Sequence, residues 1–298
     1  MADKTNIEWA EATWNPLFGC SKVSPGCANC YAETFALNRM KGKREYTGLP
    51  WTPANAATNV QLRPERLDQP IRWRRPRRIF VNSLSDLFHE LVPDEFIDRV
   101  FAVMAMAQQH QFLLLTKRPQ RMRAYMERTS SGAQREFLVA DQFERVLAAM
   151  TPAQARTYSP FWRGWPLPNV WLGVSVENAR WRTRIDELRH TPAAVRFISA
   201  EPLLGPLTIP DGPFAGSIGP IDLTGIHWLI SGGESGPGAR PLEEQWLRDL
   251  RDECAQQGVA FFHKQMGEVW SREHLNHGGH AGNPAEWPED LRVREYPQ

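Results

Sequence analysis

The stretch TWNPLFGCSKVSPGCANCYA, residues 13–32, sets the frame for the rest of the chain. It places Cys20, Cys27 and Cys30 within eleven residues, in a C-x6-C-x2-C spacing, directly after a short apolar and aromatic segment. The fourth cysteine, Cys254, lies more than two hundred residues further on. Three close thiols that follow a first short strand indicate a loop that binds a metal ion or an iron–sulfur cluster.

The bulk composition is that of a folded globular protein. The 298 residues are 42% hydrophobic and 23% charged, so the chain can bury a substantial core as one large domain or two smaller ones. A net charge of +1 excludes a uniformly basic surface but not a local basic patch. No apolar run approaches the roughly 20 residues of a membrane span, and residues 1–14 contain no apolar signal core. We therefore expect a soluble cytoplasmic protein with no membrane partner, in which clustered cysteines favour metal chemistry over disulfides.

Strands and helices are predicted to alternate after the cysteine loop. The longest helix, over residues 93–109, has Pro93 in its first turn, acidic residues beside it and an apolar face. Residues 128–168 break the alternation and are interpreted as an insertion. Beyond the first short strand, six strands are predicted at residues 78–84, 111–116, 169–176, 194–200, 226–230 and 259–263, and other helices at residues 31–40, 140–150, 179–189 and 242–257 and after Pro119.

Alternating units of this kind predict an α/β fold with parallel strands and right-handed crossovers. Because no dinucleotide fingerprint follows the first strand, a partial or complete TIM-type (β/α)6–7 barrel is favoured. A doubly wound sheet is the competing arrangement. We assign residues 1–270 to the barrel, with the insertion at 128–168, and residues 271–298 to a C-terminal tail packed on or beside it.

Each predicted strand ends in polar residues. In a barrel, chemistry gathers where strands end and the βα loops begin, so these residues describe a polar mouth on a packed barrel. Any strand that emerges into solvent also ends in polar residues, which accounts for part of the pattern. The set comprises Ser83, Ser85, Asp86, Thr116, Lys117, Ser175, Glu177, Ser199, Glu201, Gly232, Gly233, Glu234 and Lys264, beside the three cysteines.

Spacing alone leaves both zinc and an iron–sulfur cluster open as occupants of the cysteine loop. Structural zinc requires four ligands, so Cys254 or one of the eight histidines would have to complete the set. Cys254 lies in a predicted amphipathic helix and is better explained as a buried core thiol. Three thiolates on a [4Fe–4S] cluster would instead leave one iron open to a cofactor or substrate.

The densest basic stretch is IRWRRPRR, residues 71–78. It is interpreted either as a solvated approach to the next strand or as a patch that contacts phosphates, with Trp73 available for stacking.

The pattern NPLFGC followed by CANCYA resembles the cluster loop of radical S-adenosylmethionine (SAM) enzymes of the spore photoproduct lyase group. Residues 83–86 (SLSD) with Glu90, and residues 115–117 (LTK), are similar to that group's second-strand and third-strand segments. A narrower resemblance covers most of residues 5–270. There the segments VNSLSDLFHE, LTKRP, WLGVSVEN, RFISAEPLLGP, SGGESGPGARP and HKQMGE are similar to a phage-associated three-cysteine family found beside three-Cys-motif partner proteins.

The resemblance implies a [4Fe–4S] cluster on Cys20, Cys27 and Cys30, with SAM chelating the open iron. Reductive cleavage of SAM would give a radical that abstracts hydrogen from a substrate, expected to be DNA or a nucleotide. The resemblance also implies the cytoplasm of a bacterial or phage-infected cell and a three-Cys-motif partner protein. The resemblance also implies which residues contact SAM: Lys117 at the carboxylate, Ser85 and Ser175 through their hydroxyls, and Glu177 at the ribose. Gly232 and Gly233 would allow close backbone approach, and Glu234 would be a polar anchor. The other residues of the predicted cofactor-binding set are Ser83, Asp86, Glu201 and Lys264.

Three features depart from the lyase pattern. The first gap is x6 rather than x3, and Asn29 stands where an aromatic residue often precedes the last cysteine. Ser83 occupies about the place of a hydrogen-donating cysteine, and a serine O–H bond is too strong for that role, which argues against thymine-dimer repair by that route. Two other functions stay open: a zinc-stabilised nucleic-acid-binding protein without catalysis, and a glycosidase-like barrel using Glu177, Glu201 and Glu234 that leaves the cysteines unexplained.

Overall fold

The structure is a computed structural model that describes residues 5–43, 46–128, 141, 144–146, 148, 164–208 and 219–298. Most of the predicted insertion at residues 128–168, with its helix at 140–150, lies outside the described residues.

Nine strands lie in the described part of the chain. They are β1 (Ala12–Trp14), β2 (Leu17–Phe18), β3 (Gln61–Leu62), β4 (Arg78–Val81), β5 (Gln111–Thr116), β6 (Val170–Ser175), β7 (Val195–Ala200), β8 (Trp228–Gly232) and β9 (Ala260–Gln265).

The described α-helices are of two kinds, three four-residue helices before β4 and five longer helices that follow later strands. They are α1 (Tyr31–Thr34), α2 (Ala56–Asn59), α3 (Gln69–Arg72), α4 (Asp94–Met106), α5 (Pro119–Glu127), α6 (Thr183–His190), α7 (Glu244–Gln257) and α8 (Glu268–Leu275). Short 3-10 turns lie at Pro25–Cys27, Pro53–Asn55, Pro64–Arg66, Ala179–Trp181, Pro284–Glu286 and Glu289–Leu291, and a π-helical turn at Phe35–Arg39.

Seven strands form one sheet in the order β1-β4-β5-β6-β7-β8-β9, and β2 and β3 form a small antiparallel pair. The pairings of β1 with β4, β4 with β5, β7 with β8 and β8 with β9 are parallel. The order follows the chain without the reversal that a doubly wound sheet has at its switch point. The prediction of an α/β fold with parallel strands is therefore confirmed and a partial barrel fits this order, while TIM-type closure stays a prediction.

Local chemistry explains where the elements begin and end. Asn82 has a left-handed backbone, with a φ of 65°, so β4 stops at Val81 rather than continuing to the predicted residue 84. Helix α4 begins directly after Pro93, and Asp94 and Glu95 place acidic groups in its first turn. The predicted helix over residues 31–40 is instead a short α turn followed by the π-helical turn.

The chain forms two compact units. The first comprises Met1–Lys22, Phe35–Leu172 and His190–Val195, and the second comprises Val23–Thr34, Gly173–Arg189 and Arg196–Gln298. Cys20 therefore belongs to the first unit, and Cys27 and Cys30 belong to the second.

The first unit is built around aromatic contacts between its strands. The rings of Trp14 on β1 and Phe112 on β5 lie 5.8 Å apart, and Trp9 lies 4.7 Å from Phe80 on β4. Helix α4 buries ten of its thirteen residues, so the parallel strands of this unit have an apolar cover.

The second unit is closed by the C-terminal chain. Every residue of β8 is buried, and α7 packs against β9. Arg294 forms an antiparallel bridge with Phe262 of β9, and the Trp228 indole donates to the carbonyl of Glu295. The outer edge of β9 is thus covered by the chain itself, which removes an exposed row of unpaired backbone groups.

None of the helices in the described residues combines the length and apolar character that crossing a membrane requires.

Candidate functional site

The first half of the cysteine loop runs alongside the end of β4. The Gly19 N–H donates to the Leu84 carbonyl over 3.1 Å, and Gly19 bridges to Ser85 in parallel. Gly19 has a φ of +81°, and a Cβ built there would lie 1.9 Å from the Asn59 carbonyl oxygen. Only glycine fits this close approach, so the position delivers Cys20 to the carboxyl edge of the sheet in its own unit.

Arg118, which follows β5, holds this half of the loop. Its guanidinium is 6% exposed. Nη1 lies 3.5 Å from the sulfur of Cys20 and 3.1 Å from Asp86, and Nη2 donates to the carbonyl and hydroxyl of Ser21. Nε donates to both carboxylate oxygens of Glu90. All five N–H groups of the side chain therefore have acceptors, as a buried guanidinium requires.

Burial and neighbouring charges act in opposite directions on Arg118. Burial alone lowers the pKa of the guanidinium, but Asp86, Cys20 and Glu90 raise it above its ordinary value. Arg118 is therefore a permanent cation in contact with the sulfur of Cys20.

His89 supports Ser21 from the other side. The Leu91 N–H donates to Nδ1 over 3.1 Å, so Nε2 carries the proton and donates to the Ser21 hydroxyl over 2.9 Å. Burial and the nearby Arg118 lower the pKa of His89, which keeps the ring neutral and this tautomer in place.

Asp86 joins the ends of β4 and β5. Its carboxylate accepts hydrogen bonds from the Phe88 N–H, the Thr116 hydroxyl, the Lys117 N–H and Arg118. Asp86 is 6% exposed, so its oxygens serve the protein framework. The partly exposed Lys117 follows directly at the end of β5.

The two predicted serines of this unit are held by neighbouring groups. The Ser83 hydroxyl exchanges hydrogen bonds with the side chain of Asn15 over 3.0 and 3.3 Å. The Ser85 hydroxyl donates to the Leu17 carbonyl and accepts from Asn82. Both fix the segment that carries Cys20.

In the second unit, Glu177 fixes the chain that leads to Cys27. The fully buried carboxylate accepts from the Ser24 hydroxyl over 2.5 Å and from Arg184 over 3.0 Å. The Ser24 hydroxyl also lies 3.8 Å from the sulfur of Cys27. A Cβ on Gly26 would lie 2.4 Å from Glu177, so the loop can pass the carboxylate only with glycine there.

Glu234 fixes the segment between Cys27 and Cys30. Its carboxylate accepts from the Asn29 amide over 3.1 Å and from the backbone and guanidinium of Arg240. Arg240 also donates to the Pro25 carbonyl. Burial would raise the pKa of Glu234, but its hydrogen bonds with Arg240 and Asn29 hold that pKa below its ordinary value. The loop is thus attached to the end of β8 through a charged contact.

A second group of strand-end residues surrounds Glu201. Lys264 at the end of β9 lies 2.9 Å from Glu201, and their side chains are 19% and 14% exposed. A Cβ on Gly232 would lie 2.8 Å from the Glu201 carboxylate, and one on Gly233 would lie 2.2 Å from the Met266 carbonyl. Both glycines therefore serve close packing within this unit. Ser175 is buried at the end of β6, where its carbonyl accepts from Arg184.

The thiols divide into two kinds. Cys20, Cys27 and Cys30 are partly exposed thiols, whereas Cys254 is fully buried on α7, where burial first and then Glu295 and Glu253 raise its pKa. The prediction that Cys254 is a core thiol agrees with this placement. Within the described ranges, no group of three or more His, Cys, Asp or Glu side chains has a ready geometry for a metal ion. By donor chemistry, three accessible thiols fit a soft metal or an iron–sulfur cluster.

The basic stretch at residues 71–78 lies at the amino ends of the strands, opposite the carboxyl ends near Cys20. Arg74 and Arg75 are exposed and form no hydrogen bond or ion pair with the described residues. They precede the first residue of β4, while Arg118 follows the last residue of the parallel strand β5. Strands of this length separate the two edges by about 13–20 Å. The guanidinium of the neighbouring Arg77 lies 5.3 Å from the centre of the Trp73 ring.

Several residues that hold the cysteine loop were not identified from the sequence. They are Arg118, Arg184 and Arg240, together with Ser24 and His89. Arg184 and Arg240 follow the strand-end carboxylates that they contact by seven and six residues, which is a weak sequence signal, whereas Arg118 is 32 residues from Asp86 and has no such signal.

Fold and site together define an α/β protein with a parallel sheet in chain order and a three-cysteine loop held by buried charges. The chain belongs to the family described as Protein of unknown function (DUF5131), which it matches over residues 4–289. No curated protein and no solved structure matches it.

Proposed function

We propose that the protein is a radical SAM enzyme that binds a [4Fe–4S] cluster through Cys20, Cys27 and Cys30. The observation that carries the proposal is the contact of a buried guanidinium with the sulfur of Cys20, since Arg118 lies 3.5 Å from it. Hydrogen bonds and positive charge at cysteine sulfurs stabilise thiolates and tune the reduction potential of iron–sulfur clusters. A neutral thiol that only filled space in the core would gain no stabilisation from a neighbouring cation, whereas a thiolate would.

The number of accessible thiols also supports a cluster. Cys254 is fully buried on α7, so three cysteines remain as ligands. Such a cluster, when bound, would offer an open iron for SAM to chelate and would pass on to SAM the electron that an external reductant supplies. The protein's own part is to hold the sulfurs, place the cofactor and exclude water.

Strand-end residues then fall into two roles. The first role is to hold the cysteine loop or its surroundings, through polar atoms that form hydrogen bonds with other groups of the protein. The residues in this role are Ser83, Ser85, Asp86, Glu177 and Glu234. The second role is to contact SAM. We assign it to the partly exposed Lys117, at the carboxylate of SAM, and to Glu201 with Lys264, at hydroxyl or carboxylate groups of SAM. An ammonium at a strand end suits a carboxylate electrostatically.

The test is anaerobic reconstitution with iron and sulfide, followed by assay of 5′-deoxyadenosine formed from SAM under reductant. We expect the wild-type protein to assemble a cluster and cleave SAM, and Cys20→Ala, Cys27→Ala or Cys30→Ala to lose the iron. Cys254→Ala is the matched control and should keep it. An intact cluster without SAM cleavage would sink the enzyme proposal, and equal iron loss in the Cys254 variant would sink the ligand set.

DNA or a nucleotide is the proposed substrate class, and the exposed Arg74 and Arg75 support contact with phosphates. Each phosphate neutralised on duplex DNA contributes about 0.9 to the slope of log affinity against log salt. Replacing both arginines by Ala should therefore weaken binding to a DNA duplex and lower that slope by about 1 to 2. Arg123→Ala, which replaces a partly exposed arginine paired with Glu127, is the control. An unchanged salt slope in the double variant would contradict the proposal that Arg74 and Arg75 contact phosphates.

A zinc-stabilised protein that binds nucleic acid without catalysis is the second candidate function, because Arg74 and Arg75 would serve it equally. It predicts about one equivalent of zinc after aerobic purification and no iron uptake under anaerobic reconstitution. Metal analysis of anaerobically purified protein separates the two. A three-Cys-motif partner protein stays a prediction of the sequence resemblance.

A further inference from the structure

We infer that Arg118 is a positioning residue for metal binding, which fixes the sulfur of Cys20 for coordination. The inference rests on the proposed metal-binding role of the cysteine loop. Arg118 would contact the metal-binding Cys20 but would not itself bind the metal. Cys20 and Arg118 belong to the same compact unit and are separated by 98 positions in sequence.

The direction of the guanidinium supports this role. One edge of Arg118 meets the carboxylates, with Nε at Glu90 and Nη1 at Asp86. Nη1 also meets the sulfur of Cys20, and Nη2 meets the backbone and hydroxyl of the next residue, Ser21. The side chain of Cys20 and the peptide that follows it are therefore held by one rigid, planar group, which restricts the position of the sulfur.

The surroundings hold Arg118 itself in place. Asp86 is bound by the backbone of Lys117 and the hydroxyl of Thr116, and Ser21 is held by the neutral His89. Groups that orient a metal ligand in this way typically change metal affinity about 10- to 100-fold when they are replaced. A positive charge in contact with the sulfur of Cys20 also favours its thiolate, which is the form that binds a metal.

Arg121 offers a matched comparison. It lies three residues after Arg118, in the first turn of α5, and donates to the carbonyls of His89 and Val92, so it holds the loop that carries Glu90, an acceptor of Arg118. It makes no contact with Cys20 among the described residues. If Arg118 only stabilised the fold, replacing Arg118 or Arg121 should therefore lower metal affinity to a similar extent.

Cobalt(II) titration of the metal-free protein is the test, because absorption from thiolate to cobalt reports both affinity and the number of thiolates bound. We expect Arg118→Met to lower cobalt affinity about 10- to 100-fold and to weaken this absorption. Arg118→Lys, which keeps the charge but not the planar fork, should recover part of the affinity. Arg121→Met should stay close to the wild-type value.

Equal affinity in Arg118→Met and the wild type, or an equal loss in Arg121→Met, would overturn the inference. Near-ultraviolet circular dichroism of the metal-free variants establishes that they fold. If Arg118→Met does not fold, Arg118→Lys decides, because wild-type affinity in that variant would also overturn the inference. A wild-type protein that binds cobalt through thiolates but assembles no iron–sulfur cluster contradicts the proposed function alone. One that assembles the cluster but binds no cobalt through thiolates overturns the inference alone.

Discussion

Buried carboxylates at the strand ends each meet a guanidinium. Asp86 pairs with Arg118, Glu177 with Arg184, and Glu234 with Arg240. A buried charge without a partner costs several kcal/mol, so each carboxylate requires its arginine. In each unit these pairs also hold part of the cysteine loop, through Ser21 in the first unit and through Ser24, Pro25 and Asn29 in the second.

Replacing Glu177 by Gln tests one such pair. Its partner Arg184 has a side chain that is only 4% exposed, so the neutral amide leaves a buried cation uncompensated. We expect Glu177→Gln to lower the free energy of unfolding by about 3–5 kcal/mol, measured by urea denaturation. Asp186→Asn removes an exposed partner of Arg189 and should cost under about 1 kcal/mol. Similar small losses in both variants would show that the buried pair is not needed.

Gly26→Ala tests the close passage of the cysteine loop. The new Cβ would lie 2.4 Å from the Glu177 carboxylate, which must shift and loosen its bond with Ser24. We expect a loss of about 1–3 kcal/mol in the free energy of unfolding. Gly219→Ala is the control, since nothing in the described part of the chain lies within 4 Å of its Cβ. Wild-type stability in Gly26→Ala would mean that the loop does not pass the carboxylate this closely.

At the scale of elements, the strand ends were predicted within a few residues, and the exceptions have local causes. Asn82 ends β4 early through its left-handed backbone, whereas β9 continues to Gln265, two residues beyond the predicted end. That extension brings Lys264 to Glu201, while His263, the last residue of the predicted strand, is fully buried beside Trp287.

The pH dependence of stability should report His263. Burial, followed by the charge of Arg294, lowers the pKa of His263 to about 3. The unfolded chain takes up this proton near pH 6.5 while the folded chain does not, so stability falls as pH drops from about 6.5 towards 3. The contribution is at most about 1.4 kcal/mol per pH unit.

His263→Gln should therefore flatten the fall in unfolding free energy over this pH window, measured by denaturation at several pH values. His274→Gln, which replaces an exposed histidine stacked on Trp270, is the control. Parallel pH profiles for wild type and His263→Gln would contradict a neutral buried ring.

Truncating the C-terminal segment tests the cover of β9. Residues 292–298 supply the carbonyl of Val293 to the His263 N–H and the N–H of Glu295 to the Phe261 carbonyl. Without them the strand edge loses these hydrogen bonds and the Trp228 indole loses the Glu295 carbonyl that accepts from it, so we expect a lower melting temperature and self-association. Calorimetry and size-exclusion chromatography measure both, and an unchanged, monodisperse truncated protein would contradict the expectation.

At the scale of the whole molecule, the two units have separate apolar cores. Trp14 is fully buried in the first, and Trp228 is fully buried in the second. Domains that fold only on metal binding lack cores of this size, because the metal supplies their folding free energy.

Metal removal should therefore leave the fold intact. After treatment with a chelator, we expect a cooperative thermal transition and the near-ultraviolet circular dichroism of ordered tryptophans. Cys20→Ala serves as a matched variant and should melt close to the metal-free wild type. Loss of the near-ultraviolet signal on chelation would contradict this expectation and favour the zinc-stabilised alternative.

The sequence by itself determined the α/β class and the polar strand ends. Both follow from local periodicity, because apolar runs and helical faces are properties of neighbouring residues. It also determined that three thiols lie close along the chain and that Cys254 belongs to a helix core.

Only the tertiary structure decided the strand order and the partners of the polar groups. The contact of Arg118 with Cys20 and that of Asn29 with Glu234 join positions 98 and 205 residues apart. No local pattern encodes such a distance, since side chains meet only once strand order and register bring their loops together. Sequence could therefore place carboxylates at strand ends, but their role in holding the cysteine loop became apparent only from the folded chain.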